Sequence, residues 1–120
     1  MLNFEKLEVW RKSIEFADLV YELTRPFPVD ERFGLTNQKR RASVAVSSNN
    51  ADGGSRSSKT DYSRFIELAT GSLFEVISQG HVAARQGYLN GESFRSMHAT
   101  VEELSRMLSG LRSYLTKGPA

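Results

Sequence analysis

The chain has 120 residues, of which 39% are hydrophobic and 25% are charged, and it contains no cysteine. This length and composition fit one folded domain covering residues 1–120 and argue against disorder throughout the chain. The lack of cysteine excludes disulfides, thiolate nucleophiles and Cys-based zinc sites. Neither a basic n-region nor a long apolar run follows Met1. We therefore expect no signal peptide, no membrane span and a cytoplasmic location.

The net charge of +2 is unevenly distributed along the chain. Residues 1–30 carry four positive and six negative side chains, whereas residues 31–64 carry seven positive and three negative ones. Such asymmetry indicates either an anionic partner or self-assembly between patches of opposite charge.

The first segment, from about residue 4 to residue 25, has the periodicity of an amphipathic helix. One apolar stripe consists of Leu7, Trp10, Ile14, Ala17, Tyr21 and Thr24, and a second set beside it consists of Val9, Phe16, Val20 and Leu23. A helix in a monomeric bundle buries only one face, so the second set favours a contact with another subunit. The alternative is a broad core that the second set flanks. Pro26 and Pro28 predict the end of this helix.

A second helix is predicted from about Glu31 to Ala51, with Asp30 as its N-cap. Its core stripe is predicted to be Leu35, Gln38, Ala42, Ala45 and Asn49. The buried polar members of this stripe would need hydrogen-bond partners. Residues 47–58 are rich in turn-forming types, and Gly53 or Gly54 is predicted to cap the helix.

Two further helices follow. The third is predicted to start near Ser58, which with Asp61 resembles a capping box, and to end at Gly87. Its stripe consists of Tyr62, Ile66, Ala69, Leu73, Val76, Gly80, Ala83 and Gly87, with close packing expected at Gly80. The fourth is predicted to begin after Asn90 and to end before Gly118 and Pro119, with the stripe Phe94, Met97, Val101, Leu104, Leu108, Leu111 and Leu115.

Four amphipathic helices of about 30 Å each, joined by short connections, predict an all-α fold. The arrangement expected is an antiparallel up-down-up-down four-helix bundle in a single domain.

The sequence offers no constellation for catalysis, and we expect neither an enzyme nor a cofactor. His81 and His98 belong to no Glu-x-x-His pair, so we expect no metal site. No serine has a nearby histidine to activate it. The loop around Arg56 and Lys59 precedes a helix and offers either an anion site or an ordinary turn.

Basic side chains are the most prominent candidate binding groups. Those predicted to contact nucleic acid are Arg32, Lys39, Arg40, Arg41, Arg56, Lys59 and Arg64. In the predicted register, Lys39, Arg40 and Arg41 fan over the outer face of the second helix. The alternative for a monomer is a solvated helix face without a ligand.

Three segments together resemble a known family. They are LTNQKRRA at 35–42, SNNADG at 48–53 and FIELATGSLFE at 65–75, supported by FEKLEVW at 4–10 and by Phe27-Pro28 followed by ERFGL at 31–35. The chain resembles the small bacterial four helix bundle proteins, also called ribosomal-RNA intervening-sequence proteins. It departs from the usual Asn-Ile-Ala-Glu-Gly motif, which reads Asn49-Asn50-Ala51-Asp52-Gly53 here.

The resemblance implies an antiparallel four-helix bundle that assembles as a ring of five. It also implies a relation to accessory proteins of diversity-generating retroelements, which bind nucleic acid through a basic surface on the pentamer. No enzymatic activity is implied. At the motif we expect structural roles for Asn49, Asp52 and Gly53, with the polar atoms of Asn49 and Asp52 hydrogen-bonded to backbone or to another helix.

Sequence and resemblance together predict a non-enzymatic, homo-oligomeric helical module that binds RNA or DNA through the basic residues of the second helix and the loop after it. The alternative is a structural or protein-adaptor oligomer without a nucleic-acid ligand. Neither reading involves a membrane.

Overall fold

The computed structural model describes residues 1–118 and is all-helical over that range. The four α-helices are α1 (Glu8–Thr24), α2 (Leu35–Gly54), α3 (Lys59–Arg85) and α4 (Gly91–Lys117). Short 3-10 turns, Asn3–Lys6 and Val29–Glu31, precede α1 and α2. The molecule measures 44 × 25 × 21 Å. The predicted all-α four-helix bundle is confirmed.

Short connections return each helix alongside the one before it. The most extensive contact joins α2 to α3, and α1 completes the bundle by packing on α2 and, more loosely, on α4. The α1–α2 and α3–α4 connections therefore lie at one end of the bundle, and the α2–α3 connection lies at the other. Within the described residues, no helix is both long and apolar enough to cross a membrane.

The predictions for α3 and α4 agree closely with the structure. The Ser58 Oγ accepts a hydrogen bond from the Asp61 amide at 2.9 Å, and the Asn90 Oδ1 accepts one from the Ser93 amide at 2.8 Å. Both are N-cap bonds that satisfy an amide the helix leaves free. The core members of the two stripes are Ile66, Ala69, Leu73, Val76, Gly80 and Ala83 on α3 and Met97, Val101, Leu104, Leu108 and Leu115 on α4. Pro119 lies outside the described residues.

On α1 the second set, predicted to contact another subunit, lies mostly in the core of the bundle instead. The buried residues are Val9, Ser13, Phe16, Val20 and Thr24, which include most of the second set. Ile14 and Tyr21, which belong to the first stripe, are exposed. Phe16 and Val20 are fully buried, so α1 turns its second set towards the bundle axis and leaves part of the first on the surface.

On α2 both the boundaries and the register differ from the prediction. Asp30 lies in a 3-10 turn rather than at the N-cap, and Gly34 precedes the first helical residue. The helix continues through Gly53 and Gly54, and Ser55 follows it. The buried residues are Thr36, Lys39, Ala42, Ser43, Val46, Ser47, Asn50 and Gly53, which shifts most of the stripe by one position.

Candidate nucleic-acid interface

The structure divides the predicted basic residues among three environments. Lys39 lies in the core. Arg32, which precedes α2, and Arg40 and Arg41 in its first half lie along one side of the bundle. The remaining three, Arg56, Lys59 and Arg64, surround the α2–α3 connection. Helix α2 has 20 residues, so about 30 Å separates its two ends. The seven side chains therefore do not form one continuous surface on a single chain.

The assignment of Lys39 to a nucleic-acid surface is wrong for the folded chain, because its side chain is fully buried. Its ammonium donates to the Val76 carbonyl oxygen at 2.9 Å and approaches the Met97 sulfur at 3.3 Å. No carboxylate among residues 1–118 pairs with it. Burial lowers the pKa of Lys39 to about 8.

Gly80 makes room for this buried ammonium. A Cβ at position 80 would overlap the terminal methyl of Met97 and would lie 3.3 Å from the Lys39 Nζ. The close packing predicted at Gly80 is thus present, and it accommodates a lysine from α2 that sequence reasoning had placed on the surface.

The arginines near the start of α2 are partly committed to contacts within the chain. The Arg40 Nε donates to the Thr24 Oγ1 at 2.8 Å, and its guanidinium lies 4.7 Å from the centre of the Tyr21 ring. The guanidinium of Arg32 lies 4.6 Å from the centre of the Phe33 ring. Arg41 is exposed and borders an open polar groove between α2 and α3.

Three exposed cations surround the α2–α3 connection, and we call Arg56, Lys59 and Arg64 the basic cluster. The guanidinium carbons of Arg56 and Arg64 lie 4.5 and 4.6 Å from the centre of the Phe65 ring. The Lys59 ammonium lies 5.6 Å from the centre of the Tyr114 ring. Aromatic rings attract cations at such distances through their quadrupoles, so these contacts orient the cations without neutralising them.

Among residues 1–118, the carboxylate of Asp61 is the one that pairs with the basic cluster. The Asp61 Oδ1 lies 3.6 Å from the Arg64 Nε, and both side chains are about half exposed. An exposed pair of this kind contributes little and exchanges readily with solvent. Most of the positive charge of the cluster therefore remains available to an anionic ligand.

Gly53 positions the basic cluster against the bundle. A Cβ at position 53 would lie 3.0 Å from atoms of both Tyr62 and Phe65, so a larger residue would separate the end of α2 from the first turns of α3. The Ser55 amide donates to the Asp52 carbonyl oxygen at 3.2 Å and turns the chain towards Arg56. The predicted structural role of Gly53 thus has a specific basis in helix packing.

The polar residues of the 49–53 motif behave differently from one another. Asn49 is half-buried, and its Nδ2 donates to the Ala45 carbonyl oxygen of its own helix at 2.9 Å. Its assignment to the core stripe is corrected, because the fully buried amide is that of Asn50. The Asn50 Nδ2 donates to the Val46 carbonyl oxygen at 2.9 Å and to the Ser13 Oγ at 3.2 Å. The hydrogen bond expected for Asp52 is wrong, because its carboxylate is exposed and makes no hydrogen bond within the described chain.

Residues with catalytic potential do not converge in the described part of the chain. No three His, Cys, Asp or Glu side chains within residues 1–118 come close enough to hold a metal ion. The His98 Nδ1 lies 2.9 Å from a carboxylate oxygen of Glu102 on the same helix, and the His81 ring packs on Phe94.

Sequence reasoning missed the aromatic partners of the basic cluster. The sequence pattern marks Phe65 only as part of a family motif and assigns no role to Tyr114. Phe65 directly follows Arg64, and this adjacency of a cation and an aromatic ring was the available signal. Tyr114 gave no such signal, because its contact with Lys59 depends on the antiparallel packing of α4 on α3.

The comparisons with known proteins agree with this architecture. The profile of the 23S rRNA-intervening sequence protein family matches residues 5–110, which is most of the chain. The chain belongs to this family. The recognition made from the sequence motifs is thereby confirmed.

One solved structure has a similar fold. It is a crystal structure of a protein of unknown function from the S23 ribosomal protein family of Bacteroides thetaiotaomicron. The two chains are 20% identical and superpose with a TM-score of 0.78 over 87% of this chain and 97% of the other. At this identity the likeness shows the fold alone. The search of curated proteins found no match.

Proposed function

We propose that this member of the family is a non-enzymatic module that binds nucleic acid through the basic cluster. The observation that carries the proposal is the grouping of Arg56, Lys59 and Arg64 around one connection, with all three side chains exposed. Cations presented together to solvent form the electrostatic footprint expected for contacts with a phosphate backbone. Such contacts position the ligand without reading its base sequence.

The arginines near the start of α2 have a secondary place in the proposal. Arg41 is exposed. Arg40 already donates to Thr24 and lies against an aromatic ring, and Arg32 also lies against an aromatic ring. Their distance from the basic cluster along α2 means that one short ligand on one chain would not contact both groups. An assembly of several copies would repeat both groups, and a longer ligand could contact more than one of them.

Self-association is the second part of the proposal, and exposed apolar side chains support it. Those on the first three helices are Ile14 and Tyr21 on α1, Val44 on α2, and Leu68, Phe74 and Val82 on α3. The residues on α1 and α2 belong to one side of the bundle, and those on α3 project from another helix. Two different apolar surfaces fit head-to-tail contacts, which close into rings such as the pentamer expected from the resemblance.

The same apolar surfaces favour a second candidate function, a structural or protein-adaptor oligomer without a nucleic-acid ligand. In that case the basic cluster would pair with acidic side chains of a neighbouring subunit or of a protein partner. The exposed acidic residues Glu15 and Glu22 on the outer face of α1 could pair with the basic cluster of a neighbouring subunit.

Binding of labelled single-stranded and duplex oligonucleotides, followed by fluorescence anisotropy, tests the proposal. Arg56, Lys59 and Arg64 are replaced together by Ala. The matched control replaces three other exposed arginines, Arg85, Arg95 and Arg106, by Ala and therefore removes the same charge. We expect the cluster variant to lose at least about tenfold in affinity at moderate salt and the control to lose much less.

Two results would contradict nucleic-acid binding through this cluster. The first is a wild-type protein that binds no oligonucleotide at moderate salt. The second is an equal loss for the cluster variant and the control, which would assign binding to net charge. A cluster variant that changes the assembled mass instead would support the adaptor.

A further inference from the structure

The basic cluster carries flat surfaces as well as charge. Tyr114 is 49% exposed, and the Lys59 ammonium lies over its ring. On the α2 side of the first turns of α3, the guanidinium groups of Arg56 and Arg64 both lie against the ring of Phe65. A cluster that needed only positive charge would not need aromatic rings beside every one of its three cations.

We infer that the ligand of this site is a single-stranded nucleic acid whose unpaired bases stack on Tyr114 and on the guanidinium planes of Arg56 and Arg64. This inference rests on the proposed function and names its substrate class. Bases in a duplex are stacked on one another and offer a protein only phosphates and groove edges. Bases of a single strand can leave that stack and lie on aromatic or guanidinium planes.

The Phe65 ring prepares the two arginines for this role. A free arginine side chain loses substantial rotational freedom when it is fixed in a complex. Phe65 belongs to α3, and its Cβ lies at the contact with the end of α2, 3.0 Å from where a Cβ at position 53 would lie. The ring therefore holds both guanidinium groups near one place before any ligand arrives, which lowers the entropic cost of binding.

The surface beside the cluster suits a sugar-phosphate backbone. A groove of about 360 Å³ runs between α3 and α4 next to Arg64, and the hydroxyl-bearing residues Thr60, Ser63 and Thr116 line it. The carboxylate of Glu67 also borders this groove, where the Arg112 Nε donates to it at 2.8 Å. Neutral hydroxyls and a paired carboxylate leave the groove open to a backbone that follows the cations.

Two substitutions separate stacking from charge. Tyr114→Leu removes the exposed π face and leaves every charge in place. Replacing Arg56 and Arg64 together by Lys keeps both charges and removes both guanidinium planes. The control is Phe33→Leu, which removes another exposed aromatic ring that lies beneath an arginine at the opposite end of the bundle. Thermal melting followed by circular dichroism checks that each variant is folded.

The measurement is the affinity for a labelled single strand, as RNA and as DNA, and for the duplex of the same sequence at the same salt concentration. We expect the wild type to prefer the single strand. Tyr114→Leu and the double lysine variant should each lower the ratio of single-strand to duplex affinity, by roughly five- to a hundredfold for each stacked base lost. Phe33→Leu should leave the ratio unchanged. A preference for RNA over DNA, or the reverse, indicates which of the two the protein binds naturally. Both results agree with the inference.

The outcomes distinguish this inference from the function beneath it. Equal affinity for single strand and duplex, with no change in the ratio for either variant, overturns stacking and leaves phosphate binding intact. A wild type that binds neither form overturns both. If Tyr114→Leu fails to fold, the double lysine variant tests stacking by itself, because Arg56 and Arg64 are exposed and are not part of the core.

Discussion

The ammonium of Lys39 lies 2.9 Å from the carbonyl oxygen of Val76, inside the hydrophobic core. The only other polar neighbour bonded to it within the described chain is the Met97 sulfur, which is a weak acceptor. A buried ammonium without a carboxylate is expensive to keep charged. This pair of residues therefore couples the stability of the bundle to protonation.

We predict that the free energy of unfolding rises as the pH is increased through the range from about 8 to 10.5. The pKa of Lys39 is lowered from 10.5 to about 8 in the folded chain. Between these values the unfolded chain holds the proton and the folded chain does not, so raising the pH favours folding. Below about pH 8 the ammonium is charged in both the folded and the unfolded chain. Its burial then lowers the free energy of unfolding by a constant amount, on the order of 3 kcal/mol. Urea denaturation across this pH range measures the effect.

Lys39→Met should stabilise the protein at neutral pH by on the order of 1–4 kcal/mol. Methionine fills a similar volume and removes the buried charge, while the Val76 carbonyl oxygen retains its bond within the helix. The same variant should abolish the pH dependence above pH 8, which separates loss of the charge from better packing. A lower free energy of unfolding for Lys39→Met would mean that the ammonium is stabilised by groups beyond those described.

Gly80→Ala and Gly71→Ala should differ although both lie on α3. A Cβ at position 71 would have open space, so that substitution should stabilise the helix by up to about 1 kcal/mol. A Cβ at position 80 would overlap Met97, which is fully buried. We expect Gly80→Ala to be less stable than Gly71→Ala by on the order of 1–3 kcal/mol in chemical denaturation. Equal effects would show that the core around Met97 repacks freely.

The adjacent residues Asn49 and Asn50 provide a matched pair for the register of α2. Asn50→Asp places a carboxylate in the core and should cost on the order of 2–4 kcal/mol at neutral pH. Asn49→Asp alters a half-buried side chain that bonds only to its own helix, so its cost should be much smaller. A larger loss of stability for Asn49→Asp than for Asn50→Asp would support the register of α2 predicted from the sequence.

The sequence predicted α3 and α4 well because their apolar residues are large and regularly spaced. Helix α2 was harder, since Ala42 fits both registers and Val44 and Val46 lie two residues apart on different faces. The true stripe contains Lys39 and Asn50, which no hydrophobic pattern selects. The burial of Lys39 depends on space that Gly80 leaves on another helix, and periodicity within one segment carries no such information.

The candidate site was predictable in its composition but not in its geometry. The consecutive charges of Lys39-Arg40-Arg41 indicate a binding surface, yet consecutive residues on a helix point in different directions. Arg56, Lys59 and Arg64 are spread over nine positions and come together because the chain turns at Ser55. The placement of Tyr114 beside them required the tertiary packing of α4.

The oligomeric state should respond to the exposed apolar residues on α2 and α3. Static light scattering should return a mass that is a multiple of 13.5 kDa, five for the ring expected from the resemblance. Val44→Glu and Phe74→Glu should each lower that mass, because each places a charge on an apolar contact. Val29→Glu, on an exposed residue of the α1–α2 connection, is the control. A wild-type mass of one chain would contradict the assembly.

The salt dependence of oligonucleotide binding tests phosphate contact by the basic cluster most directly. Each phosphate neutralised contributes about 0.9 to the slope of log affinity against log salt concentration on duplex DNA and about 0.7 on a single strand. If Arg56, Lys59 and Arg64 contact phosphates, replacing all three by Ala should flatten the slope by about two to three. A slope identical to that of the wild type would contradict phosphate binding by the cluster.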